Sequence, residues 1–442
     1  MTVIHALDTG FLALEDADPR LSLGIGAVAI IAGRPPDRDR FASTLAARVD
    51  RMPRLRDRLS TTWLELRAPT WEPDPRFDVA HHIRWTALPA PADLPQLYEL
   101  VAADIAERLD RDHPLWQCTV VERVGADSWA VIVKAHHVLL DGISGIELFD
   151  ALSDRAPAPA APPQPPARRA SVLRMLELPL RIPRAVWSSA QTLLPVLYAA
   201  AAPGGRTSLS GPVGHARRYA VARTTMSRVR GIAARFDVTV NDVAVAAVAG
   251  AYRAALLARH EDPGANPIRV VIPISTRTAD APALGNQVSA MLPELPVDRS
   301  SAIRRLRAVH ERIAAHRGRG EAAAEQNLLG LADRLPYPLV AWAFRMASRY
   351  PQHRIAALAT NVPGPAGPLT FQGGEVREIL PYIPLGMRLR TTIAILSYAG
   401  HLVFGVTGDF DTAPDVERIA AAIEAEIAEL DRLHDRSDET TS

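Results

Sequence analysis

The residues with the clearest capacity for chemistry are two adjacent histidines, His136 and His137, followed by Asp141-Gly142, in "VIVKAHHVLLDGISGIELFDAL" (residues 131–152). Histidine titrates near neutral pH, so one imidazole can both take and return a proton. A carboxylate one tight turn later can fix an imidazole or anchor an arginine beneath the loop, and Gly142 permits the backbone to return there. Neighbouring side chains of a strand point to opposite faces, so at most one histidine lines a given pocket while the strand persists. The same alternation argues against a mononuclear metal site using both, and no Cys/His cluster at ligand spacing supplies further ligands. Two packed histidines at a strand end remain the alternative. An internal control is His81-His82 in "FDVAHHIRWTA". It has neither the aspartate nor the glycine and reads as a structural or surface pair. Ser144 in "GISG" lacks nucleophile-elbow spacing, and no phosphate loop or dinucleotide fingerprint is present.

Several elements must position these residues. "PLWQCTVVERV" and "SWAVIVKAHH" read as a hairpin turning at Gly125, Ala126 and Asp127, its second strand delivering the histidines to its end. "GISGIELFDAL" then restarts at helical spacing. Residues 21–31 read as a strand, 41–49 and 94–109 as helices. The proline-dense stretch 154–171 supports neither helix nor central strand and reads as a linker. In the second half, "ARRYAVARTTM" and "IRVVIPIST" read as strands, "NDVAVAAVAGAYRAALLARH" as a helix, and "RTTIAILSYAGHLVFGVTGDF" as a hairpin. A closing helix sets Val416, Ile419, Ile423, Ile427 and Leu430 on one face. Both halves mix strands and helices without strict alternation, an α+β pattern. The expected division is 1–153 for a domain carrying the histidines, 154–211 for a linker with crossover helices, and 212–442 for a second domain.

Composition narrows the function further. The 442 residues are 48% apolar, enough for two cores, and carry 50 Lys plus Arg against 49 Asp plus Glu. A formal charge of +1 gives no field that would draw nucleic acid or anionic lipid. Lys134 is the only lysine, so any phosphate grip falls to arginine and backbone amides. The basic run from Arg304 to Arg319 reads as a solvated helix face. The single cysteine, Cys118, lies in an apolar run and reads as a packed thiol; it excludes an intrachain disulfide and fits a reducing cytoplasm. The opening residues lack a basic region followed by an apolar core, so no signal peptide is expected. Residues 185–205 are uncharged but interrupted by Pro195, and read as a lipid-contacting or domain-bridging helix rather than a span.

With "HHVLLDG" in view, the chain resembles the bacterial wax ester synthase/diacylglycerol acyltransferase family, whose hallmark is His-His-x-x-x-Asp-Gly. "ALDTGFLALED", "FDVAHHIRWTALP", "LDRDHPLWQ", "TVNDVAVAAVAGAYR", "LGNQVSAMLPELPV", "TNVPGP" and "LSYAGHLVFGVTGDF" resemble further blocks of that family in order, over nearly the whole chain. Two departures stand out: Gln117 replaces the usual Glu, and "RLSLGIG" occupies the place of the usual Met-His.

The resemblance implies two mixed α/β sandwiches of the chloramphenicol acetyltransferase type, with the active site in a channel between them. It makes His137 the general base, His136 and Asp141 its support with Gly142, and Arg277 a partner for Asp141. Asn286, Ser289 and Asn241 become candidate oxyanion donors. For Asn241 the competing reading is a helix N-cap, and for Asn361 in "TNVPGP" it is a turn. The implied reaction is acyl transfer from acyl-CoA to a hydrophobic alcohol, diacylglycerol or a long-chain alcohol, with no metal or redox cofactor. A stand-alone condensation-type enzyme using a carrier-protein donor, and a lipid-binding protein without turnover, are the alternatives. Either a cytoplasmic location or a peripheral one at a membrane or lipid droplet is compatible with such substrates.

Overall fold

The computed structural model describes residues 2–3, 6–61, 68–139, 148–149, 152–154, 207–275, 288–318, 337–349, 355–365, 367–386 and 388–433. The first part of the chain forms β1 (Thr2–Val3), α1 (Ala6–Ala17), β2 (Gly24–Ala32), α2 (Arg38–Val49), β3 (Asp57–Ser60) and β4 (Thr70–Pro73). It continues with β5 (Ile83–Thr86), α3 (Leu94–Ala106), β6 (Trp116–Val124) and β7 (Ser128–His136). The second part opens with β8 (Arg217–Thr225), α4 (Met226–Phe236), α5 (Val240–Ala258), β9 (Ile268–Ser275), β10 (Val288–Met291) and β11 (Glu294–Leu295). Then come α6 (Ala302–Gly318), α7 (Tyr337–Arg349), β12 (Ile355–Pro363) and β13 (Thr370–Phe371). The last elements are β14 (Gly374–Tyr382), β15 (Thr391–Tyr398), β16 (His401–Asp409) and α8 (Val416–Arg432).

The β6–β7 hairpin forms where its sequence predicts, with Gly125 at the turn at φ +65°. Every residue of β7 is buried, as expected of a central strand covered on both faces. It pairs with β2 on one side and β6 on the other, in a sheet ordered β13-β14-β2-β7-β6-β5. A second sheet runs β10-β9-β12-β15-β16-β8, with β11 also on β9, and β1, β4 and β3 form a small third one. The α5 helix is the described helix long and apolar enough to cross a membrane, and it sits in the core beneath the second sheet, 72% buried. The stripe of α8 from Val416 to Leu430 packs into that core as its spacing predicts. Residues 155–206, with most of the linker and the uncharged stretch 185–205, lie outside the described residues.

The second half of the chain also completes the first sheet, because β14 pairs antiparallel with β2 from Val376↔Ile31 to Tyr382↔Gly26. Alternation alone cannot reveal this, since the partner of a strand is set by the whole fold. The α6 helix is also not simply solvated. Arg305 is buried and its guanidinium makes a bidentate pair with Glu426 of α8, while Arg312 donates to the Glu294 carbonyl.

The two sheets meet backbone to backbone at Gly405 of β16, where a Cβ would stand 1.8 Å from the Pro381 carbonyl oxygen of β14. Gly405→Ala should therefore force the sheets apart and cost about 3 kcal/mol or more. Gly231→Ala, in α4 with open space around it, should instead gain about 0.5–1 kcal/mol. Calorimetric unfolding of both variants checks the contrast; equal transition temperatures would remove the close contact from the account.

Candidate active site

The strand end that carries the histidines is held by its backbone on both sides. The His136 N–H donates to the Leu115 carbonyl at 2.9 Å, ahead of β6, and the His137 N–H donates to the Leu23 carbonyl at 3.0 Å, ahead of β2. The ladder thus runs one residue past β7 and fixes both residues before the chain turns. By register, His137 shares the face of Val133 and Ala135. Those two line an apolar cavity of about 150 Å³ between the first sheet and strands β12 and β15, with Ala27, Ile379 and Ile395 among its other walls. The Phe11 ring of α1 lies 4.2 Å from the His137 ring, centroid to centroid.

His136 faces the other way, into a buried polar layer. The Val138 N–H donates to its Nδ1 at 3.2 Å, which assigns the proton to Nε2. That nitrogen faces Glu15 Oε2 at 3.4 Å, and both side chains are 2% exposed. Arg111 donates to the same carboxylate and to Asp16, while the Leu23 N–H donates to Glu15 Oε1. Burial by itself would raise the Glu15 pKa. The facing imidazole, the guanidinium and the amide outweigh it and hold the carboxyl at about 2. Arg108 clamps the same corner through the carbonyls of Leu21, Glu15 and Asp18.

Lys134 extends this layer one strand repeat back. Its Nζ donates to the Asp104 and Glu107 carbonyls at the C-terminal end of α3 and lies 3.8 Å from the Asp104 carboxylate. A cation there complements the helix dipole. Burial pushes the Asp104 pKa up and the Lys134 pKa down, each opposed by the partner's charge. Tyr382 of the crossing strand β14 donates to Asp104 Oδ2 at 2.8 Å. A Cβ at Gly24 would stand 2.6 Å from Lys134 Cε, so glycine there makes room for the lysine. Gln117 Nε2 donates to Thr119 Oγ1 at 3.1 Å and reaches Asp104 Oδ1 at 3.5 Å. A carboxylate at 117 would put like charges at that distance, which gives the departure to glutamine a local reason.

The other sequence candidates are distributed unevenly. Asp141, Gly142, Arg277 and Asn286 lie outside the described residues. Ser289 is placed by its backbone opposite Ile274, and Asn361 beside Ile395 in a parallel pair. The capping reading of Asn241 is corrected: Thr239 caps α5, in a capping box with Asp242, and Asn241 stands inside the first turn. Asp242 also accepts from Thr239 N and lies 2.8 Å from His310 Nδ1. At the control pair, His82 stacks on Trp116 at 4.3 Å and its Nδ1 is 2.8 Å from the Trp116 carbonyl, while His81 is exposed, as a structural pair should be. Cys118 is fully buried, and burial pushes its thiol up to about 12.

The motif around the histidines does not reveal Glu15 and Arg111, which support His136 from α1 and from the segment before β6. A signal existed, since Glu15 follows Phe11 and Leu12 at helical spacing and so interrupts the buried stripe of α1 with an acid. Glu15→Gln should destabilise the fold at pH 7 by about 3–5 kcal/mol, the usual effect of breaking a buried pair. The depressed carboxyl contributes stability above its ordinary pKa of 4.5 that is lost as pH falls toward about 2. The variant should accordingly show a flatter loss of stability over that window. Parallel pH–stability curves for the two proteins would dismiss Glu15 as an ionised partner.

Comparison with known proteins agrees with this architecture. The wax ester synthase/diacylglycerol acyltransferase catalytic domain matches residues 4–244, and the C-terminal domain of the same family matches 284–431. The chain is 38% identical to the probable diacylglycerol O-acyltransferase tgs1 of Mycobacterium tuberculosis, over 97% of this chain and 96% of the relative. Its fold is similar to the wax ester synthase/diacylglycerol acyltransferase from Marinobacter aquaeolei VT8, with a TM-score of 0.69 at 23% identity, covering 97% and 98% of the two chains. It is also similar to the first condensation domain of the calcium-dependent antibiotic synthetase, with a TM-score of 0.60 at 17% identity, covering 97% and 96%. Two family domains in succession and a full-length relative at this identity place the chain in the wax ester synthase/diacylglycerol acyltransferase family.

Proposed function

We propose that the protein transfers an acyl group from acyl-CoA to a hydrophobic alcohol, diacylglycerol or a long-chain alcohol, with His137 as the general base. The observation that carries this reading is the register of β7, which sets His137 on the face that lines the apolar cavity and His136 on the face that holds buried charge. His137 takes the proton of the alcohol hydroxyl as its oxygen attacks the thioester carbonyl. The tetrahedral intermediate collapses, the C–S bond breaks, and the proton passes to the departing thiolate. Products are the ester and free CoA.

Within this reading Asp141 and Gly142 shape the loop after His137, with Arg277 as the partner of Asp141. Asn286, Ser289 and Asn241 are candidate donors to the oxyanion, where each hydrogen bond is worth about 100- to 1,000-fold in rate. The cavity takes part of the acyl chain, because apolar walls favour an alkyl group by burial alone. Substrates of this kind reside in lipid, which favours peripheral contact with a membrane or droplet surface.

The decisive assay offers labelled palmitoyl-CoA with diacylglycerol, hexadecanol and small alcohols, and identifies the ester. His137→Ala should lower turnover about 100- to 10,000-fold; wild-type rates in that variant would sink the assignment. Ala135→Leu, which fills the cavity, should lower kcat/KM for palmitoyl-CoA about tenfold or more relative to a short-chain donor. An equal effect on both donors would place the acyl chain elsewhere.

A further inference from the structure

His137 is bounded in the chain by two peptide groups, one carrying its own N–H and the other that of Val138, and each is held by a different acceptor. The His137 N–H donates to the Leu23 carbonyl at 3.0 Å, and the Val138 N–H donates to His136 Nδ1 at 3.2 Å. Both acceptors lead back to one side chain. The Leu23 N–H donates to Glu15 Oε1 at 2.9 Å, and His136 Nε2 faces Glu15 Oε2 at 3.4 Å. One carboxylate on α1 thus stands behind the backbone on either side of the base. Phe11, one turn earlier on the same helix, lies with its ring 4.2 Å from the His137 ring.

A carboxylate suits this place because both of its oxygens accept. Oε1 orients Leu23, while the charge at Oε2 favours the His136 proton on Nε2 and so leaves Nδ1 the lone pair that accepts from Val138. An amide would serve one branch and not both. With its oxygen on Leu23, its NH2 would face His136 Nε2 and draw the imidazole proton to Nδ1, where it would meet the Val138 N–H. Against the cost of burial, His136, Arg111 and the Leu23 amide keep the Glu15 carboxyl ionised.

A general base must come within about 3 Å of the atom whose proton it takes, and a misplacement of about 1 Å can cost about 100-fold in rate. With both bounding peptide groups held, φ and ψ of His137 are held, and with them the direction of its Cα–Cβ bond. Resting on the acyl-transfer reading of the same site, we infer that Glu15 is a positioning residue for the reaction: through Leu23 and through the tautomer of His136 it fixes the backbone on both sides of His137, and so the approach of that imidazole to the substrate hydroxyl.

The test uses the full chain with palmitoyl-CoA and the alcohol that the wild type esterifies, below the unfolding transition of every variant. Glu15→Gln should lower kcat about 10- to 100-fold while KM for palmitoyl-CoA stays within about twofold, since the cavity walls are untouched. Glu426→Gln is the control for stability. It breaks another buried pair, with Arg305 in the second half of the chain, and should lower the transition temperature comparably yet keep the wild-type kcat. If Glu15→Gln does not fold, His136→Gln decides: its amide reaches toward Glu15 but offers no acceptor at the place of Nδ1, so kcat should fall by a similar factor at unchanged KM. A wild-type kcat in the folded Glu15 or His136 variant, a loss that appears in KM instead of kcat, or an equal fall of kcat in Glu426→Gln overturns the positioning role. A wild-type protein that forms no ester overturns the reading of function, and this role falls with it.

Discussion

Adjacent side chains of an extended strand cannot face the same way, and the rest of this site follows from that constraint acting at the end of β7. His136 is turned toward buried charge, and His137, by alternation, shares the face of Val133 and Ala135, which line an apolar cavity. The ladder holds both backbones, through Leu115 on one side and Leu23 on the other. Rotation of the strand end would have to break both bonds.

The buried layer behind the strand explains why so much charge is tolerated in a core. Glu15, Arg111, Asp104 and Lys134 each face an opposite charge or donate to helix-end carbonyls, and Tyr382 supplies a further hydrogen bond. Removing one member leaves its partner charged and desolvated, so the set is stable only as a whole. Its members come from α1, the segment before β6, α3, β7 and β14. The second half of the chain thus contributes directly to the support of a strand in the first half.

The lengths of the strands and helices were largely legible, because hydrophobic period and turn residues act locally. The β6–β7 hairpin, β9, the β15–β16 hairpin and α8 fall close to where their patterns place them. Cys118 and the pair His81-His82 also read correctly from their neighbours. Thr239 rather than Asn241 caps α5, because the capping box with Asp242 satisfies two backbone groups at once. Arg305, read as part of a solvated face, finds Glu426 more than a hundred residues away, and no local period reports such a partner.

The motif and the series of blocks around it determined the family, the hairpin that carries the histidines and the rule that the pair must divide its duties. They could not say what covers each face of the strand, since alternation is symmetric between two faces. Tertiary structure decided it: β12 and β15 leave an apolar cavity on the face of Val133 and Ala135, and α1 and α3 bring acids and carbonyls to the face of Lys134 and His136. The physical reason is that burial and charge at a residue are properties of what packs against it, and here that comes from distant parts of the chain.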